Sequence, residues 1–360
     1  MRQKLVIGCF VAILAVFLAA NLIYDAPEIL MSERRVAERL PVLSVETVFS
    51  GAFMEGFEGY AADRFPLREG FRAVRAGVTL GVFAQTDIDG LFRDGDGVSR
   101  FSAVNADSVR LAAEKMAAVA AELEGLRIFY AVIPDKSAFS SRAVPGFDAG
   151  WAAAVLDAYL PAAFTYIPLA HALDAYSFYR TDPHWNQIAI GDAAVALADA
   201  MGITLDFRQF VAMVAGHFLG AYGGQLAWPV AHEPMYFLEN PHLSAYYLNV
   251  GARVFEAGPV YDLARFGGWD PFDIFLRGAQ PVVVVTNAHA TSDRVLYLFR
   301  DSFSSPLAPI LASGYARVYL IDFRFIDLRT VREVIDFQPD ADALFLFSSG
   351  ILNHAEVLLT

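Results

Sequence analysis

Three different spacings of hydrophobic and polar residues divide this chain. The first is an unbroken apolar run. After the basic head MRQK, residues Leu5 to Tyr24 (LVIGCFVAILAVFLAANLIY) carry no charge. At a rise of about 1.5 Å per residue, a helix of that length crosses the hydrocarbon layer of a bilayer. A cleavable signal has a shorter apolar core, so the pattern predicts an uncleaved anchor. Arg2 and Lys4 precede the span, and Asp25 and Glu28 follow it. The positive-inside tendency then leaves the head in the cytoplasm and the remaining chain outside.

The second spacing is mixed. Residues 25–104 form an N-terminal extension and linker, helical in its apolar periodicity from Arg68 onward and turn-rich at LFRDGDGVSRF, which reads as a hairpin or tight loop. Asp87, Asp89, Asp94 and Asp96 in this part lack the spacing of a calcium-binding EF-hand loop.

From residue 105 the third spacing begins, an alternation of helix and strand. NADSVRLAAEKMAAVAAELEG predicts an amphipathic helix with a polar start and a Gly stop. LRIFYAVIP predicts a buried strand, Trp151 to Leu160 a helix, AFTYIPL a strand and WNQIAIGDAAVALADAMG a helix. VVVVT, RVLYLFRDS, ARVYLIDFR and ADALFLFSS follow as short apolar strands, the last three separated by helical segments. Such alternation predicts an α/β domain over 105–360 with a parallel sheet covered on both faces. Periodicity fails only at about 205–280, where Gly, Pro and aromatics crowd. That segment is expected to be an irregular insertion over the functional edge of the sheet.

Composition narrows the chemistry. A hydrophobic fraction of 56% excludes wholesale disorder. A formal net charge of -13, with Lys4, Lys115 and Lys136 the only lysines, argues against a nucleic-acid partner. Cys9 is the sole cysteine, so no intrachain disulfide is expected. VIGC lacks the preceding apolar run of a lipoprotein box. His217, His232, His242, His289 and His354 lack ligand spacing, and neither a metal nor another cofactor is expected.

In parallel sheets, function gathers at the carboxyl ends of strands. Ser302 sits at such an end, between the strand VLYLF and the helix expected from SPLAPILASG. Its hydroxyl is then exposed, with helix amides nearby to stabilise an oxyanion. The alternative is a plain helix cap. In TDPHWN, Thr181 or Asp182 could likewise cap a helix whose first residue is Pro183. A serine nucleophile needs a base, and the base needs an orienting group. Asp182 and His184, two residues apart, can supply both. Lys136, a rare lysine at a strand end, either binds a sugar carboxylate or pairs with Asp135.

TDPHWN, RDSF, VIPDKSAF (Val132 to Phe139), DRFPLREGF (Asp63 to Phe71) and the Gly-rich HFLGAYGG together resemble the bacterial DHHW family. That family is related to the alginate O-acetyltransferases of the SGNH-hydrolase superfamily. The resemblance runs from about Phe57 to the end of the chain. It implies a three-layer α/β/α sandwich, circularly reordered so that the Asp-x-His motif precedes the serine. It further implies Ser302 as nucleophile, His184 as base and Asp182 as its orienter, with Trp185 lining the acyl or sugar site. Arg180, Lys136, Tyr222 and Gly223 join Trp185 as substrate-binding candidates. Three departures stand out: Arg300 replaces the glycine of Gly-Asp-Ser, Pro183 replaces the first histidine of the DHHW string, and no Gly-x-Asn-Asp block supplies an oxyanion asparagine, Asn353 being the nearest stand-in.

The expected function is that of a membrane-anchored, extracytoplasmic serine acyltransferase or esterase acting on acetyl groups of a cell-surface polysaccharide. A membrane partner protein could supply the acyl donor. The alternative is a catalytically inactive envelope protein of exopolysaccharide assembly that holds a glycan or a partner in the same cleft.

Overall fold

The computed structural model describes residues 2–140, 142 and 146–360. Two compact units emerge: residues 2–88 with 223–229, and residues 89–222 with 230–360.

The first unit opens with the helix Arg2–Ile23, long and apolar enough to cross a membrane, with none of its apolar stretch buried against protein. The polar part of this unit is organised around Asp63, a buried carboxylate at the end of the helix Ala52–Asp63. Arg35 grips Asp63 with two hydrogen bonds of 2.6 Å each, and the Glu38 amide donates to it at 2.9 Å. These bonds to a charged acceptor hold its pKa below the usual carboxylate range although burial opposes them.

The second unit is built on an eight-stranded sheet. From edge to edge its strands are Val254–Gly258, Leu243–Asn249, Val282–Asn287, Arg317–Ile321, Val295–Arg300, Asp342–Ser348, Arg127–Ile133 and Phe164–Tyr166. The last five run parallel, with Phe299 opposite both Ile321 and Phe345. Helices cover both faces, so each central strand is apolar throughout rather than alternating. On one face Leu296, Leu298, Leu344 and Leu346 pack with the helices Gly191–Met201 and Ser304–Leu311. On the other, Tyr297, Phe299, Phe345 and Phe347 pack with the helices Ala106–Ala120 and Ala149–Tyr159. Each such fully buried side chain contributes about 1.5–3 kcal/mol to folding. This is the α/β sandwich with a mostly parallel sheet expected from the alternation.

The VVVVT strand departs from the expected direction. Val282–Asn287 lies antiparallel to Arg317–Ile321. The link at 288–294 leads to Val295–Arg300, the strand beyond that neighbour, and reverses the chain there without the crossover helix that a parallel arrangement requires. The segment at 205–280 is also more regular than its composition implied. Val211–Phe218 and Glu233–Glu239 form a two-stranded ribbon, and Leu243–Asn249 and Val254–Gly258 extend the sheet by antiparallel pairing. A β-bulge between Val214 and Gly216 breaks the period of the ribbon. The hairpin Leu91–Asp94/Gly97–Arg100 belongs to this second unit.

Candidate active site

Asp182 and His184 lie in a turn ahead of the helix that their motif was expected to begin. The α-helix starts only at Gly191, after a short 3-10 turn at Gln187–Ala189, and Phe178 pairs with Trp185 across the motif as an isolated bridge. The TDPHWN residues are therefore free of helix geometry. His184 can turn back on Asp182, its backbone N–H donating to Oδ1 at 3.1 Å and its ring Nδ1 meeting the same oxygen at 2.7 Å. A carboxylate can only accept, so Nδ1 carries the proton and Nε2 of the neutral ring is an acceptor. Nε2 lies 2.8 Å from Ser302 Oγ. The structure thus brings Asp182, His184 and Ser302 into one hydrogen-bonded chain, the arrangement that prepares a serine for nucleophilic attack. Phe272 stacks on the imidazole with centroids 3.9 Å apart and planes 14° apart, limiting its rotation.

Backbone from the irregular segment fixes the acid. The Ala221 amide donates to Asp182 Oδ2 at 2.8 Å, and the Gly220 amide to Thr181 Oγ1 at 2.8 Å. Gly220 approaches so closely that an added Cβ would lie 2.3 Å from the Thr181 carbonyl. Glu233, buried at the start of a ribbon strand, accepts from the amides of Arg180 at 2.8 Å and Thr181 at 2.7 Å, and from Thr181 Oγ1 at 2.6 Å. Gly220 lies in the HFLGAYGG segment but was given no role there, and Glu233 was not singled out. Their roles are not local, because their partners lie about 40 to 50 residues away.

Ser302 follows the strand Val295–Arg300 and precedes the helix Ser304–Leu311, as its flanking pattern required. The helix amides do not face the serine as expected. Phe303 N–H donates to Asp301 Oδ1, Ser304 N–H to the Asp301 carbonyl and Ser305 N–H to the Ser302 carbonyl. The Ser302 amide alone has no acceptor among the described residues. Arg300, in the glycine's place, is buried beneath this turn and donates to Asp301 O, Ser305 Oγ and Gln280 O.

No protein-family model matches the chain, and no curated protein matches it by sequence. Solved structures do. A DHHW family protein from Eubacterium siraeum superposes with a TM-score of 0.59 at 18% identity, over 76% of this chain and 95% of that one. This chain has the fold of a DHHW protein. Bacillus cereus PatB1, solved with a sulfonyl adduct, superposes with a TM-score of 0.56 at 16% identity, over 73% of this chain and 95% of that one. A second PatB1 structure matches with a TM-score of 0.55 at 14% identity.

Within this DHHW-like fold, Ser302 opens onto a cavity of about 430 Å³, lined among others by Pro183, Tyr222, Phe303, Arg324 and Gly350. Tyr222 thus lines the same cavity as the serine. Other substrate-binding candidates are placed differently. Trp185 is fully buried, and its Nε1–H donates to the Phe303 carbonyl at 2.6 Å, so it braces the serine turn instead of lining a ligand site. Lys136 is 8% exposed and neither pairs with Asp135 nor offers its ammonium to a sugar. Its three protons go to the carbonyls of Val98 at 2.8 Å, Tyr179 at 2.6 Å and Arg180 at 2.6 Å, which ties the hairpin to the chain leading into Asp182. Burial lowers its pKa to about 8, against the pull of Glu233 and Asp182. Arg180 pairs with Asp96 and lines a separate cavity of about 720 Å³. Gly223 is buried and, as a glycine, has no side chain to offer a ligand. Asn353 donates to the Ala103 carbonyl and accepts from the Asn105 amide, a structural tie rather than an oxyanion donor. Among the described residues no group of three or more His, Cys, Asp or Glu is placed to hold a metal ion.

Arg324 is the cavity residue that sequence reading missed. It follows the strand Arg317–Ile321 at its carboxyl end, the same position rule that singled out Ser302.

Proposed function

We propose that this protein is a membrane-anchored serine acyltransferase or esterase that moves or removes acetyl groups on a cell-surface polysaccharide, with its α/β domain on the extracytoplasmic side. The observation that carries the reading is the continuous hydrogen-bonded chain Asp182–His184–Ser302 at the wall of a cavity. His184 Nε2 takes the Ser302 proton as Oγ attacks the acyl carbonyl. Asp182 holds the ring in the accepting tautomer and stabilises the imidazolium that forms. The Ser302 amide donates to the developing oxyanion. Collapse expels the alkoxide of the donor, which takes the proton back from His184. A sugar hydroxyl or water then attacks the acetyl-serine by the reverse sequence. Arg2 and Lys4 in the first turn of the Arg2–Ile23 helix support the orientation, and an acyl donor presented by a membrane partner fits the anchor.

A glycan-binding protein without catalysis is the second reading, favoured by the engagement of the helix amides that would otherwise assist the oxyanion. Incubation with an activated acetyl ester or a sulfonyl fluoride, followed by peptide mass spectrometry, separates the two. Acyl transfer predicts a modified Ser302 that disappears in His184→Ala. An unmodified Ser302 in folded protein supports the binding reading.

A further inference from the structure

In the first unit, the helix Arg68–Ala76 and the wider turns that continue it over Gly77–Val82 are amphipathic in the inverted sense. The charged side faces protein. Arg68 and Arg72 both pair with Glu33, Arg72 at 3.6 Å, and Arg72 Nη2 donates to the carbonyls of Gly224 at 2.9 Å and Gln225 at 2.7 Å. Ala76, one further turn along the same side, is fully buried. The apolar side faces outward. Leu67, Phe71, Val74, Val78 and Val82 recur every three or four residues and so share one face. All five are exposed, Leu67 and Val82 at 73% and Val74 at 63%, and Phe83 extends the stripe. Around a water-soluble core the apolar side of such a helix would turn inward. Single exposed apolar residues are ordinary, but a continuous exposed stripe marks an interaction surface.

What covers this face follows from its contact with the N-terminal helix of the same unit. Phe17 of that helix stacks on Phe65 with centroids 5.3 Å apart and meets Phe71 at 5.9 Å, while Phe65 and Phe71 meet edge to face at 5.6 Å. Phe71 thus belongs both to the stripe and to the contact with the anchor. Phe17 lies within the apolar stretch, which runs on to Asn21. At about 1.5 Å per residue, Phe17 is about 6 Å inside the end of that stretch. Interfacial helices bury their apolar side about 5–10 Å into the boundary of headgroups and acyl chains. An anchor that spans the bilayer therefore carries Phe71, and the stripe with it, to the depth at which such helices lie.

We propose that Leu67, Phe71, Val74, Val78, Val82 and Phe83 form a lipid-binding face that lies in the bilayer interface beside the anchor. Its occupant is the leaflet next to the carboxyl end of the Arg2–Ile23 helix. The inference rests on the membrane-anchor reading and adds a second contact that lies on the bilayer without crossing it. A single spanning helix leaves the unit it carries free to tilt, whereas a second contact fixes how that unit faces the membrane. The charge pattern agrees. No acidic residue occurs from Gly70 to Thr86, and Arg75 is exposed at the edge of the stripe, where anionic headgroups lie.

The test uses the full chain, with Cys9→Ala removing its sole cysteine, reconstituted in vesicles of phosphatidylcholine and phosphatidylglycerol. Single cysteines are introduced as Val74→Cys, Val78→Cys or Val82→Cys on the stripe, Val16→Cys on the anchor and Asp107→Cys in the second unit, and each is labelled with a nitrobenzoxadiazole fluorophore. All five side chains are exposed, so the substitutions leave the fold intact. A nitroxide on the lipid acyl chains reports contact with lipid, and iodide reports contact with water. The three stripe labels should be quenched by the lipid nitroxide, as Val16→Cys is, with iodide quenching largely lost and emission shifted to the blue of Asp107→Cys. Stripe labels as open to iodide as Asp107→Cys, with Val16→Cys in lipid, overturn the proposal and leave the anchor standing. Stripe labels shielded from both quenchers put a protein on this face, a second copy or another chain, and also overturn it. If Val16→Cys is open to iodide while the stripe labels sit in lipid, the spanning anchor falls and the lipid-binding face stands. If all are open to iodide, both fall.

Discussion

Replacing Gly220 with alanine tests how Asp182 is held. A Cβ at this position would lie 2.3 Å from the carbonyl carbon and oxygen of Thr181 and 2.5 Å from Asp182 Cβ, where ordinary contact begins at 3.4 Å. The obstructing atoms are mostly backbone and cannot swing away, so the two segments must part by about 1 Å. Overpacking of this kind costs about 1–3 kcal/mol. The separation also pulls on two bonds of 2.8 Å, Gly220 N to Thr181 Oγ1 and Ala221 N to Asp182 Oδ2. Losing one of them leaves a polar group unsatisfied, for about 1–3 kcal/mol more. Gly220→Ala should therefore lose about 2–6 kcal/mol in a urea titration. If Asp182 moves with the backbone, its 2.7 Å bond to His184 lengthens, and kcat for acetyl-ester hydrolysis should drop by about 10²-fold. Gly267→Ala is the control, because a methyl group there would meet no heavy atom within 4 Å, and its effect should stay within about 0.5 kcal/mol. A Gly220→Ala protein as stable and as active as the control would refute the account of the Gly-rich segment as a backbone clamp.

Ser302→Ala, His184→Ala and Asp182→Ala should each remove most esterase activity, and the double variant of Ser302 and His184 should be little worse than either single, as judged by initial rates. Trp185→Phe removes the donor to the Phe303 carbonyl and should cost about 1–3 kcal/mol in chemical denaturation, with a larger loss in kcat than in KM if the serine turn loosens. Lys136 has a pKa of about 8 when folded and about 10.4 when unfolded. Between these values the unfolded chain holds more protons, so this group makes stability rise with pH from about 8 to 10.4. Below pH 8 both states are protonated and its contribution is flat. Lys136→Met should lack that rise in denaturation midpoints measured across the window, and an identical pH profile in wild type and variant would show that burial does not shift the lysine.

The sequence by itself determined the α/β class, the apolar N-terminal helix, and the positions of Ser302, His184 and Asp182 at turns flanking strands and helices. Those features are local: a strand buried on both faces must be apolar throughout, and a helix long enough for a bilayer must be apolar for its whole length. Only the tertiary structure decided what each site residue touches. The resemblance implied a ligand-facing Trp185, and a strand-end position suggested the same for Lys136, but the fold buries both and gives their donors to backbone carbonyls. The antiparallel direction of Val282–Asn287 and the ordered ribbon inside the irregular segment depend on pairing between distant strands, to which a local hydrophobic pattern is blind. The same holds for Glu233, Gly220 and Arg324. Their chemistry is ordinary in sequence, and their roles exist only because long-range folding sets a carboxylate under Thr181, a bare backbone against Asp182 and a guanidinium at the wall of the Ser302 cavity.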